Sequence, residues 1–154
     1  MKTIGGRLAK FLTVLALLIG GVVATASAAQ AAPATVHPAS VTTICSTSPV
    51  PSGWVITAIN TNAWQCGGSS YTIQTPVSPM GVCDNSPIPS GWVITAIHTN
   101  VWQCAGGNSY TIQTPVSPMG VCDNSPIPSG WVITAIHTNV WQCAGGNSYT
   151  IAAV

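Results

Sequence analysis

Past residue 10 this sequence has no lysine and no arginine; the three it contains are Lys2, Arg7 and Lys10. It has no glutamate, and its only two aspartates are Asp84 and Asp123. Binding nucleic acid requires cations that neutralise phosphates, and docking on anionic lipid has the same requirement, so both partners are argued against. No paired acidic residues stand at glycosidase-like placement. Neither G-x-S-x-G nor H-E-x-x-H occurs, and no Gly-Gly step is followed by Lys and a helix, which removes the usual nucleophile, zinc-protease and phosphate-cradle signatures. C-x-x-C is absent too, and two cysteines per unit cannot fill a tetrahedral zinc site. The expectation is a protein that is not an enzyme and carries no metal or cofactor.

The few cations the chain has are all at its start. They precede an apolar run from Phe11 to about Val23, then small residues with Ala-x-Ala steps at 26–28 and 29–31. That order predicts a secretory signal peptide over 1–31, cleaved after Ala31, with Ala28 as the alternative. The apolar run is shorter than the roughly 20 residues a spanning helix needs. The expectation is an exported protein, extracellular or held at the cell surface, with no membrane span after cleavage. Residues 32–44, rich in Ala, Pro, Ser and Thr, read as a flexible lead-in, and His37 within it carries no chemistry of its own.

Low charge does not here mean disorder, because Trp, Val, Ile and Thr recur at regular intervals. The sequence divides into repeats at 45–73, 83–112 and 122–151, with connectors at 74–82 and 113–121 and a tail at 152–154. The second and third repeats are identical; the first has diverged. Each holds one cysteine pair at the same spacing. Exported chains with an even cysteine count favour disulfide frameworks, and pairing within repeats gives every unit the same bridge and leaves no orphan: Cys45–Cys66, Cys83–Cys104 and Cys122–Cys143. Units this small bury too little apolar surface to fold comfortably alone. Closing a loop of about 22 residues contributes roughly 3 kcal/mol on the chain-entropy account.

Within the second repeat, Pro87, Pro89, Ser90 and Gly91 read as a turn. Residues 92–99, WVITAIHT, dense in β-branched side chains, read as a strand rather than a helix. Asn100 offers a turn, 101–104 (VWQC) a short partner strand, 105–108 a second turn, and 109–114 (SYTIQT) a half-buried strand with period two. In WVITAIHT one face carries Trp92, Ile94, Ala96 and His98 and the other Val93, Thr95, Ile97 and Thr99. Both are apolar, which requires a central strand or a neighbouring repeat against the second face. The proline-bearing connectors suit stiff spacers with some packing contact. The predicted fold is all-β: three tandem, small, disulfide-closed β-meander modules that touch.

Comparing the first repeat with the others tests for chemistry. Ser46 stands where the others have Asp84 and Asp123, and Asn60 where they have His98 and His137. An Asp–His pair per unit could serve acid–base work, but the aspartates sit in turn-like C-D-N-S-P runs and no nucleophile accompanies them. The aromatic residues are the stronger lead: Trp54, Trp64 and Tyr71; Trp92, Trp102 and Tyr110; Trp131, Trp141 and Tyr149. A small domain places such rings in its core, yet indoles left outside in a row bind flat sugar faces, with Asn100, Gln103 and Asn108 as neighbouring hydrogen-bonding groups and three copies providing avidity. The expected partner is a glycan or cell-envelope surface. The competing expectation is a structural protein that self-associates, since WVITAI is uncharged and β-prone, although flanking prolines and the bridges restrain edge pairing. The array resembles secreted bacterial proteins, of no characterised activity, built from Cys-paired P-S-G-W-V…W-Q-C…Y-T-I units. The resemblance implies export and repeat architecture and nothing about a ligand.

Overall fold

The computed structural model describes residues 39–154. The signal peptide read at 1–31, most of the lead-in and His37 lie outside the described residues. The described chain is all-β. Nine strands form three antiparallel sheets of three. The first module holds β1 (Val41–Cys45), β2 (Val55–Ala63) and β3 (Gly68–Gln74). The second holds β4 (Met80–Cys83), β5 (Val93–His98) and β6 (Ser109–Gln113). The third holds β7 (Met119–Cys122), β8 (Trp131–His137) and β9 (Ser148–Ala153). Each module is closed by its own disulfide, Cys45–Cys66, Cys83–Cys104 or Cys122–Cys143. Among the described residues no helix is long and apolar enough to cross a membrane.

The spatial order within each sheet is first, third, second, rather than the sequential order of a meander. The first two strands both run antiparallel to the third, hence parallel to each other, and a tight hairpin cannot join parallel strands. The proline-rich segment between them makes the crossing instead. It ends in a turn in which the Trp92 N–H donates to the Pro89 carbonyl at 3.1 Å with Gly91 at φ 82°. Glycine suits that third turn position because the type II turn requires positive φ there.

Two other expectations are corrected. The first strand of every module begins inside what reads as lead-in or connector: β1 takes in Val41–Ile44, and β4 and β7 start at Met80 and Met119. These segments are short and lack clear alternation, and they are strands because the third strand of the module pairs with them, as in Val82↔Tyr110 and Ile44↔Tyr71. The W-Q-C segment is not a strand. Trp64–Cys66 and Trp102–Cys104 are single 3₁₀ turns. A strand would put Trp102 and Cys104 on one face. The tighter turn separates them, so that Cys104 is buried and Trp102 exposed.

The strand WVITAIHT resolves its two apolar faces through its neighbour. β5 is an edge strand, not a central one. A bulge between Ile94 and Ala96 shifts its register, so Ile94 opposes Ile112 and Ile97 opposes Tyr110; these four side chains share a face because residues two apart on β6 do. That face meets the next module. Ile94 and Ile97 pack in one cluster with Cys122, Cys143 and Val140, and Ile56 and Ile59 pack likewise with Cys83, Cys104 and Val101. Val55 enters the core of the second module and Val93 that of the third. The modules therefore stack, each covering the disulfide of its successor.

Polar groups register the stack. The Ile56 N–H donates to Ser86 Oγ at 2.8 Å, and the Ile94 N–H donates to Ser125 Oγ at 2.8 Å. Both serines are buried. An edge-strand donor that would otherwise lack a partner is thereby satisfied by the neighbouring module.

Candidate functional site: a row of exposed indoles

The six tryptophans separate into two sets. Trp54, Trp92 and Trp131, at the strand starts, are half-buried and pack against the cores. Tyr71, Tyr110 and Tyr149 are half-buried against the same clusters. Trp64, Trp102 and Trp141 are 83%, 80% and 81% exposed. Of the nine aromatic residues singled out in the sequence, only these three present most of their surface to solvent, and they occupy the same position in every module.

A rigid loop carries each of them. In the second module the Val101 N–H donates to the Gly107 carbonyl at 2.8 Å, the Gly106 N–H to the Val101 carbonyl at 3.1 Å, and the Ala105 N–H to the Trp102 carbonyl at 3.1 Å. Gly107 is held tightly: a β-carbon there would lie 3.1 Å from the Cys104 carbonyl oxygen. Ala105 takes the left-handed conformation, φ 55°, where the first module has Gly67 at φ 65°. The disulfide anchors the far end of the loop. The same bonds recur around Trp141, from Val140 to Gly146. The backbone of such a loop has little freedom left to lose on binding.

No charged residue lines the clefts beside Trp64 and Trp102. Trp64 borders a cleft of about 240 Å³ shared with Thr43, Asn60, Asn62, Gln65 and Ser70. Trp102 borders a cleft of about 310 Å³ at the first module junction, with Gln103 from its own module and Ala58, Ile59, Asn60 and Thr72 from the one before. Asn60 therefore lines both clefts. At the next junction Ile97, the counterpart of Ile59, donates its N–H to the carbonyl of Gln142, next to Trp141, at 2.7 Å. Sequence reasoning named Gln103 as a neighbour of the indoles but missed the contribution of the preceding module. Asn100 serves a turn, at φ 55°, and the Asn108 carbonyl accepts from the Asp84 N–H at 3.1 Å, continuing the pairing of Cys83 with Ser109.

The Asp and His positions are structural in their surroundings. Asp84 is exposed at the second position of a turn closed by the Ser86 N–H donating to the Cys83 carbonyl at 2.9 Å. His98 and His137 lie at the ends of their strands with Nε2 3.0 and 2.9 Å from the Thr111 and Thr150 hydroxyls. Among the described residues no three of His, Cys, Asp and Glu cluster as metal ligands would. No known protein family, curated protein or solved structure matches this chain.

Proposed function

We propose that this is a secreted, non-enzymatic binding protein that holds a polysaccharide or cell-envelope surface through Trp64, Trp102 and Trp141. The observation that carries this reading is the exposure of the same indole in all three modules. Folding does not require it, since Cys104 and Cys143 complete the buried side of the loop without it. An indole offers a flat apolar face with one donor at its edge, and the amides and hydroxyls beside it suit sugar hydroxyls. With no lysine, arginine or glutamate in the described residues, affinity would come from stacking and hydrogen bonds rather than ion pairing. Covering about 100 Å² of indole contributes roughly 2 kcal/mol, a weak site that three linked copies would strengthen. Export fits three disulfides in a chain that opens with a signal-like segment.

The test is retention of the purified, oxidised protein on chitin, cellulose, peptidoglycan and starch. We expect retention on at least one of them at high ionic strength, a partial loss on changing one of Trp64, Trp102 or Trp141 to Ala, and abolition when all three are changed. Retention on none, or retention that survives the triple change, would reject the proposal.

A further inference from the structure

We propose that this protein associates head to tail with further copies of itself, the outer face of its third module docking on the first module of the next copy. The second and third repeats are identical over 83–112 and 122–151, so differences between them within those spans report their surroundings. Val93 and Ile94 are 0% and 2% exposed, whereas their counterparts Val132 and Ile133 are 43% and 45% exposed, and Ile136 is 67% exposed. The contrast arises because the third module covers β5 and nothing among the described residues covers β8. β8 carries no charged residue and no proline, two of the devices that protect an edge strand from pairing; a bulge between Ile133 and Ala135 interrupts its register, so the next copy docks on its face rather than extending its edge.

The surface that covers this face is known from inside the chain. It consists of a disulfide, the strand leading into it and a serine hydroxyl that accepts the strand N–H. The first module presents the same set with nothing described upon it. Its disulfide cysteines and Ile44 are only half-buried, while the bridges of the other modules are buried. Ser48 occupies the position of Ser86 and Ser125, in the same turn, with its N–H donating to the Cys45 carbonyl at 2.9 Å. Ser86 and Ser125 are buried beneath the preceding module, whereas Ser48 is exposed. The two faces that the described residues leave uncovered thus repeat an interface that the chain already forms at both of its junctions. A second copy brings both halves of it.

The first-module surface has Ala63 where the other junctions pack Val101 or Val140. A smaller side chain there makes the contact between copies weaker than those within the chain, so the association is reversible and depends on concentration. The interface is heterologous, and such contacts produce open filaments or closed rings. On the ligand reading above, each new contact also completes a cleft. Trp64 and Gln65 of one copy would meet Ala135, Ile136, His137 and Thr150 of another, as Trp102 and Gln103 meet Ala58, Ile59, Asn60 and Thr72 within the chain.

Sedimentation of the oxidised protein across the micromolar to millimolar range tests this, with no glycan present, so failure of the ligand reading does not affect it. We expect average mass to rise with concentration. Ile136→Lys blocks the outer face and Ser48→Lys the receiving face; both side chains are exposed, so neither change disturbs folding, and intact disulfides on peptide mapping confirm it. Each variant alone is expected to stay monomeric, its association weakened about a hundredfold or more by the buried unpaired charge. An equimolar mixture is expected to form dimers and nothing larger, because each partner retains one working face. A protein that stays monomeric at every concentration, assembly unaffected by Ile136→Lys, or self-association of the Ser48→Lys variant through two outer faces would overturn the proposal.

Discussion

Ile94 and Ile133 occupy the same place in two repeats of identical sequence, and the fold predicts that truncating them has different consequences. Ile→Ala removes three carbons. At about 0.8 kcal/mol per buried methylene, the transfer contribution at Ile94 is near 2.4 kcal/mol. The site lies between β6 and the disulfide of the third module, which cannot collapse fully, so a cavity contribution brings the total to about 3–4 kcal/mol. Ile133 retains 45% exposure; about half of the transfer contribution remains and no closed cavity forms, giving about 1 kcal/mol. Urea unfolding of the two oxidised variants at low concentration, followed by far-ultraviolet circular dichroism, should separate their stabilities by about 2 kcal/mol. Equal losses, within about 0.5 kcal/mol, would refute the claim that the modules share a core and leave them as independent beads. Raising the protein concentration should narrow the gap, because a second copy would bury Ile133.

Ser86→Ala leaves the buried Ile56 N–H without an acceptor and should cost about 1–3 kcal/mol in the same unfolding assay; Ser48→Ala, at the exposed equivalent position, should cost almost nothing in the monomer. Ala105→Gly relieves a left-handed alanine at φ 55° and should stabilise by about 0.5–1 kcal/mol, the conformational relief exceeding the entropy that glycine costs. A lowered stability for that variant would mean that the loop carrying Trp102 is not held as described.

Part of the site is legible in the amino-acid sequence. The repeats, the pairing of cysteines within them and the strand at 92–99 follow from spacing and β-branched density, which are local properties of the chain. The aromatic positions are legible as a set, but not their division. Trp92 and Trp102 look alike in sequence; one follows a type II turn and packs inward, the other sits on a 3₁₀ turn that directs it away from its neighbouring cysteine. Reading VWQC as a strand conceals that division, since a period of two assigns Trp102 and Cys104 the same fate. β4 escapes a sequence reading because M-G-V-C has little pattern of its own and gains its conformation from β6.

The sequence by itself determined that this chain is built from three similar β units, each closed by its own bridge and almost free of charge. Turn residues, alternation and cysteine spacing act over a few residues and need no partner to be read. Only the tertiary structure decided that the units share a core, that one indole of each pair faces solvent, and that identical isoleucines are buried in one module and exposed in the next. Burial depends on what lies across the contact, and for Ile94 that is the Cys122–Cys143 disulfide of the next module.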